Sequence, residues 1–267
     1  MNIAFCFIVK DGEKYLEKNL SRIINIGEKF NSYKIFYAEN DSLDSTREIL
    51  EKISYNNKNL SGISLKLDGK HSTDLCKSSD NYNCFYRTQR LAYLRNKVLN
   101  LAKEWNDCNI MIMLDLDFID FDEKEFMNMI TIIWNNEKIN AIFGMSVTEK
   151  DNNCLYDIGA IEPQYKIIDI IEDELVNVSS AFSGVGIYKM KIIKDNNISY
   201  KEDTNSIEHI DFNKQMNNLF VYTKFRPIYE GTGSLYFFNN RKYIYILLLF
   251  LLIIFIILGF VIFVFYK

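Results

Sequence analysis

Apolar residues along this chain fall into two patterns, short continuous runs and segments in which they recur every three or four positions. Continuous runs are typical of buried strands, and the helical spacing predicts amphipathic helices. The runs predict strands at Ile3–Val9, Tyr33–Ala38, Ile63–Leu67, Asn109–Asp115 and Ala141–Val147. Helical spacing follows Gly12, Ser45 and Arg87 and covers Phe126–Asn135. Strands that alternate with helices predict an α/β fold with a mostly parallel central sheet.

The fourth of these runs ends in two carboxylates, Asp115 and Asp117. Ligands of open α/β sheets bind beyond the carboxyl ends of the strands. Residues two apart on a strand share a face, so both carboxylates can turn toward one hard cation such as Mn2+ or Mg2+. The alternative is a pair of solvated carboxylates near the start of the helix at Glu123–Asn135.

Further charged residues are expected at the same edge of the sheet. Glu39 and Asp41 follow the second strand, and Arg90 and Arg95 flank the apolar stripe of the helix before Asp115. A guanidinium group at this edge can donate two parallel hydrogen bonds to a diphosphate. A salt bridge to Asp115, or a side chain whose head reaches solvent, is the open alternative.

The last part of the chain, Tyr243–Phe265, is apolar or aromatic and carries no charge. Such a stretch is long enough for the roughly 30 Å of a bilayer core and predicts a single C-terminal membrane-spanning helix. The expected organisation is therefore a domain at 1–235, a juxtamembrane linker at 236–242 and an anchor at 243–265. Arg241 and Lys242 precede the anchor, which favours a cytosolic position for the large domain.

Composition narrows the classes of partner. The net charge is −4 and there is no basic stripe with interleaved aromatics, so no nucleic-acid partner is expected. The five cysteines are odd in number and irregularly spaced, which indicates reduced thiols. His71, Cys76 and Cys84 match no zinc-finger spacing.

Four segments, taken in order, resemble the GT-A glycosyltransferases. They are Lys10-Asp11-Gly12-Glu13-Lys14-Tyr15-Leu16, Glu39-Asn40-Asp41-Ser42-Leu43-Asp44-Ser45-Thr46, Arg90-Leu91-Ala92-Tyr93-Leu94-Arg95-Asn96 and Asp115-Leu116-Asp117. The second and third segments are most similar to the capsule-associated α-mannosyltransferase family. The four segments together are more distantly similar to family 2 type glycosyltransferases. The resemblance covers residues 1–235.

This resemblance implies a GT-A fold, Rossmann-like with helices on a central sheet, and a set of site residues. Glu39 would hold the nucleoside with Asp41 close by, and the Asp115-Leu116-Asp117 motif would bind the divalent ion and the diphosphate. Arg90 and Arg95 would lie on the donor side. Of the later residues, Glu208 or Asp211 would face the acceptor hydroxyl, and His209 would add a metal ligand. A solvated carboxylate at a helix N-terminus is the alternative for Glu208.

The sequence thus predicts a metal-dependent glycosyltransferase with Mn2+ or Mg2+ as cofactor. It would move a hexose, with mannose as the candidate, from a nucleoside-diphosphate sugar to a glycan, protein or lipid at a membrane. Whether the reaction inverts or retains configuration is left open. The alternatives are a noncatalytic membrane-tethered GT-A-like binding protein and a nucleotidyltransferase, although Lys10-Asp11-Gly12 is short for a phosphate loop.

Overall fold

The computed structural model describes residues 1–67, 85–156, 158–163, 173–231 and 235–236. Within these ranges the helices are α1 (Glu13–Gly27), α2 (Thr46–Asn56), α3 (Phe85–Glu104), α4 (Glu123–Asn135), α5 (Met190–Asp195) and α6 (Glu208–Asn213), with a 3-10 turn at Ile158–Ala160. The first strands are β1 (Asn2–Val9), β2 (Ser32–Asn40), β3 (Leu60–Leu65), β4 (Ile110–Leu114), β5 (Ala141–Phe143) and β6 (Val147–Thr148). They are followed by β7 (Asp151–Leu155), β8 (Leu175–Val178), β9 (Val185–Lys189), β10 (Leu219–Tyr222), β11 (Ile228–Tyr229) and β12 (Leu235–Tyr236).

Eight strands form a central sheet in the order β3-β2-β1-β4-β9-β5-β10-β8. The pairs among β3, β2, β1 and β4 are parallel, as is the pair of β5 with β10. Strand β9 runs antiparallel to both β4 and β5, and β8 runs antiparallel to β10. The sheet is therefore mixed, but most of its strands run in one direction, as the sequence predicts, and only β9 and β8 run against them.

The direction of β9 follows from where the chain enters it. Gly184, just before β9, accepts a hydrogen bond at its carbonyl from the backbone N of Asp115, which lies just after β4 (2.8 Å). The chain thus begins β9 at the end where β4 finishes, and it can only run back along β4. That turn ties the Asp115 backbone to the segment before β9.

The predicted strand Ala141–Val147 is divided between two sheets. Its first part is β5 of the central sheet, and Val147 begins β6, which pairs in parallel with β11 and antiparallel with β7 in a second, smaller sheet. Sequence pattern alone misses this division because every residue from 141 to 148 is buried.

The core lies between the central sheet and the helices that cover it. Strand β4 is buried along its whole length, and α1 turns Leu16, Leu20, Ile23 and Ile26 inward at helical spacing. The thiols of Cys6 and Cys108 are buried and unpaired, as the sequence predicts, and burial raises the pKa of each. His71, Cys76 and Cys84 lie outside the described residues.

The predicted fold class needs a correction, because it included a membrane-spanning helix. Among the residues that the structure describes, no helix is long and apolar enough to cross a bilayer. The longest of them, α3, has 20 residues but carries five basic side chains, which are costly in hydrocarbon. The described fold is a mixed α/β fold. The segment 243–265, on which the anchor was predicted, and most of the linker 236–242 fall outside the described ranges.

Candidate functional site

A cleft of about 320 Å³ opens at the carboxyl ends of the parallel strands β1, β2 and β4. Its walls come from the turn after β1, from one face of α3, from Asn40 at the end of β2, from the segment after β4 and from Tyr156. This is the edge at which the sequence places the ligand site, since all three strands point their carboxyl ends there.

Asp115 and Asp117 both line this cleft. The intervening Leu116 is part of the hydrophobic core and also contributes to the wall of the cleft. Asp115 is half-buried and Asp117 is exposed. Neither caps α4, because Asp122 does so by accepting hydrogen bonds from the backbone N of Lys124 (2.8 Å) and Glu125. Capping of this helix by Asp115 and Asp117 is therefore excluded.

Three arginines of α3 line the same cleft as the carboxylates: Arg87, Arg90 and Arg95. Burial, followed by the charge of Arg87, lowers the pKa of Arg90. Arg87 was not predicted as a site residue, although it lies one helical turn before Arg90 and therefore on the same face of α3. A wall with three guanidinium groups is suited to an anionic ligand with several oxygens.

Arg95 joins two carboxylates from different parts of the chain. Its Nη2 lies 3.2 Å from Oδ1 of Asp115, and its Nε lies 3.2 Å from Oε1 of Glu208. Burial lowers the pKa of Arg95, but Asp115 and Glu208 more than offset this and hold the pKa above its ordinary value. The salt bridge to Asp115, left open by the sequence, is thus present, and it orients the first carboxylate of the motif.

The structure brings none of Glu208, His209 and Asp211 to the lining of the cleft. Glu208 is buried against Arg95, and Asp211 accepts a 2.5 Å hydrogen bond from Thr204 Oγ1. The ring of His209 stacks on Phe182 with 3.5 Å between centroids. Burial, and then the charge of Arg95, lowers the pKa of His209 well below its usual value. Their predicted roles as catalytic carboxylates and metal ligand stay predictions that this geometry does not favour.

The predicted nucleoside ligands also have internal partners. Glu39 is fully buried, with Oε2 2.7 Å from Nε of Arg47 and Oε1 accepting from the backbone N of Ser42 (2.8 Å). Asp41 accepts a hydrogen bond from the backbone N of Leu67 (3.1 Å). The side chain between them, Asn40, is the one that lines the cleft.

Several residues that follow Asp41 form hydrogen bonds to the turn after β1. The backbone N of Gly12 donates to Thr46 Oγ1 (2.8 Å), and the backbone N of Leu43 donates to Asp11 Oδ1 (2.7 Å). The backbone N of Asp11 in turn donates to Ser42 Oγ (3.1 Å). The turn after β1 and the turn after β2 are therefore locked to each other, which fixes one wall of the cleft.

Asp115 and Asp117 are the side chains best placed to hold a cation. In the described part of the chain, no group of three or more His, Cys, Asp or Glu side chains is arranged to bind a metal. Magnesium and ions like it are often held by only one or two carboxylates together with substrate phosphates. The residues present therefore fit a cation that binds together with a phosphate ligand, and they do not form a closed cage.

Comparison with protein-family models and with curated proteins finds no match to this chain. Solved structures do match. TarS of S. aureus in complex with UDP superposes with a TM-score of 0.56 at 15% identity, covering 85% of this chain and 60% of that one. The mannosyltransferase PcManGT of Pyrobaculum calidifontis, with GDP-Man and Mn2+, gives 0.52 at 10% identity, covering 85% and 56%. GalNAc-T7 with UDP, GalNAc and Mn2+ gives 0.54 at 10% identity, covering 88% and 44%.

These neighbours are glycosyltransferases, in agreement with the class predicted from the sequence. This chain spans about 60% of the TarS fragment that it matches. The resemblance to the capsule-associated family in particular stays a prediction. At 10 to 15% identity the superpositions establish the fold alone: the described residues share the GT-A-type fold of these glycosyltransferases.

Proposed function

We propose that the chain is a glycosyltransferase that moves a hexose from a nucleoside-diphosphate sugar to a hydroxyl group of a glycan, protein or lipid. The observation that carries the proposal is the cleft itself, which Asp115 and Asp117 line together with Arg87, Arg90 and Arg95. Two carboxylates suit a divalent cation, and the guanidinium groups of Arg87 and Arg90 suit phosphate oxygens, so the cleft fits a metal-bound diphosphate.

In this mechanism the side chains have separate tasks. Arg87 and Arg90 bind and orient the diphosphate, and Arg95 keeps the Asp115 carboxylate turned toward the cleft through its 3.2 Å contact. Asp115 and Asp117 would hold a divalent ion, Mn2+ or Mg2+, which would supply positive charge to offset the negative charge on the leaving nucleoside diphosphate. The complexes of PcManGT and GalNAc-T7 with Mn2+ support this choice of ion, and mannose or another hexose is supported by the sugars of the same complexes.

A nucleotide-binding protein without turnover is the second candidate. One observation favours it: Glu208 and Asp211, the predicted catalytic carboxylates, both contact internal partners instead of the cleft.

The test uses the full-length chain with UDP-sugars and GDP-sugars, each with and without Mn2+. Thermal stabilisation reports binding, and release of nucleoside diphosphate reports turnover. We expect one donor to stabilise the protein only in the presence of Mn2+ and to be slowly hydrolysed. The free nucleoside, which has no phosphates, is the control and should give no stabilisation. Metal-dependent stabilisation without release would identify the binding protein, and no response from folded protein to any donor would overturn both proposals.

A further inference from the structure

A second cavity, of about 180 Å³, opens beside the cleft. The two share Asp11, Gly12, Asp117 and Tyr156 as common walls, so they lie next to each other at Asp117. None of the α3 arginines that line the cleft lines this cavity. It therefore adjoins the predicted metal-diphosphate site on the side away from the guanidinium groups.

The remaining walls of this cavity are aromatic rings and one salt-bridged carboxylate. Tyr15 of α1 and Tyr229 of β11 line it together with Lys14 and Glu230. Apolar surface with a few convergent polar groups is the usual make-up of a small-molecule site. Tyrosine rings can pack on the C–H face of a sugar ring, and a carboxylate can accept hydrogen bonds from its hydroxyls.

Contacts between distant parts of the chain hold these groups in place. Tyr15 OH donates to Oε1 of Glu230 at 2.5 Å, and Lys14 forms an ion pair with the same carboxylate. Tyr156 stacks on the buried Tyr229, with 4.5 Å between ring centroids and planes 4° apart. Tyr229 OH in turn lies 3.3 Å from the carbonyl of Asp115. The cavity is thus built in advance of any ligand, which lowers the entropic cost of binding.

The charges on the walls disfavour an anionic ligand. Three carboxylates, those of Asp11, Asp117 and Glu230, face one ammonium, that of Lys14. Hydrogen bonds from Lys14 and Tyr15 lower the pKa of Glu230, so it is ionised at neutral pH and can only accept hydrogen bonds. Phosphates and acidic sugars would be repelled here, whereas neutral hydroxyl groups would not.

We propose that this cavity, defined by Tyr15, Tyr156, Tyr229 and Glu230 beside Asp117, is the acceptor subsite, and that it takes a neutral sugar ring whose hydroxyl bonds to Glu230. The proposal rests on the proposed function, because only a transferase has an acceptor. It assigns to Glu230 the contact with the acceptor hydroxyl that the sequence assigned to Glu208 or Asp211. Glu208 and Asp211 line neither cavity, whereas Glu230 lines the cavity next to Asp117.

The test measures direct binding of methyl hexosides to the full-length chain by saturation-transfer NMR, which requires no donor and no turnover. We expect binding of at least one neutral methyl hexoside and none of the corresponding methyl glucuronide. Glu230→Gln should weaken this binding about tenfold, the loss expected when a hydrogen bond to a charged group becomes one to a neutral group. Tyr15→Leu, which removes a ring from the wall, should weaken it to a similar extent.

The matched control is Glu17→Gln, also on α1 but paired with Lys52 on an exposed surface away from the cavity. It should bind the hexosides as the unmodified protein does. Wild-type affinity in Glu230→Gln, equal binding of the glucuronide, or no hexoside binding at all would overturn the subsite. The outcome is separate from the nucleotide experiment: a chain that binds hexosides here but no nucleoside-diphosphate sugar would overturn the proposed function instead.

Discussion

The guanidinium of Arg95 donates from Nη2 to Oδ1 of Asp115 across 3.2 Å, and this contact orients the first carboxylate of the Asp115-Leu116-Asp117 motif. The same guanidinium lies 3.2 Å from Glu208, which is 113 residues away along the chain. The side chains of Arg95 and Glu208 are each only 4% exposed. Arg95 therefore links α3, the segment after β4 and α6, and the buried carboxylate of Glu208 depends on it for its counter-charge.

Arg95→Met tests how much this bridge stabilises the fold. The substitution keeps an unbranched apolar stem but leaves Glu208 buried without its cation. Removing one partner of a buried pair typically costs about 3–5 kcal/mol, and we expect a loss of that size in the free energy of unfolding. Urea denaturation at neutral pH measures it.

Lys52→Met is the control for that prediction, because it breaks an ion pair with Glu17 in which both side chains are more than half exposed. Such pairs contribute less than about 1 kcal/mol. If Arg95→Met were no more destabilising than Lys52→Met, the bridge would have no structural importance.

Asp117→Asn should abolish Mn2+-dependent stabilisation by a nucleoside diphosphate while leaving the melting temperature of the free protein nearly unchanged. The side chain is exposed and keeps its size, but an amide is a much weaker ligand for a hard cation than a carboxylate. Asp195→Asn, which alters an exposed carboxylate paired with Lys191 on α5, is the matched control. A metal-dependent shift of wild-type size in Asp117→Asn would remove this residue from the metal site.

Strands β1 and β4 were predictable because they are buried on both faces. The predicted Ile3–Val9 is β1 at Asn2–Val9, and the strand predicted to end at Asp115 is β4, which ends at Leu114. Burial on both faces selects a continuous apolar run, and the parallel arrangement then places Asp115 and Asp117 at the ligand edge. The position of Arg90 followed in the same way from helical geometry alone.

The bounds of the edge strand β3 and the existence of the second cavity could not be predicted from the sequence, and each failure has a physical reason. β3 was predicted at Ile63–Leu67 but spans Leu60–Leu65, because this half-exposed edge strand alternates polar and apolar residues and has no continuous run. Tyr15 and Glu230 meet across 215 residues, and no period in the sequence relates them. Likewise, nothing in the sequence around Glu208 shows that its carboxylate forms a buried ion pair with Arg95.

Gly184→Ala should destabilise the fold, because this glycine has a φ of +77° and packs against Tyr229. A Cβ at this position would lie 2.1 Å from the Tyr229 hydroxyl oxygen, so the ring or the turn must move. We expect a loss of about 1–3 kcal/mol in the free energy of unfolding.

The double variant Gly184→Ala/Tyr229→Phe examines the cause of that loss. Because Tyr229→Phe removes the atom nearest the new methyl group, the combined loss should be smaller than the sum of the two single losses. Strict additivity in denaturation experiments would show that the penalty comes from the backbone conformation and not from the contact with Tyr229.

His209 gives the stability of the protein a pH dependence with a definite sign. Burial and the nearby charge of Arg95 lower its pKa well below the usual value, so the folded protein keeps it neutral at mildly acidic pH. In the unfolded chain it takes up a proton below a pH of about 6.5. The stability that depends on neutral His209 is therefore complete above that pH and is lost as the pH falls, by up to about 1.4 kcal/mol per pH unit.

His209→Asn should remove this part of the pH dependence. The variant loses the stack on Phe182 and will be less stable at every pH, so the readout is the slope of the free energy of unfolding between about pH 5 and 7 and not its value. Carboxylates and His71 are common to both proteins, and their contributions to the slope cancel in the comparison. We expect a flatter slope in the variant. Equal slopes would mean that His209 is protonated as readily in the folded protein as in the unfolded chain, which its burial beside Arg95 argues against.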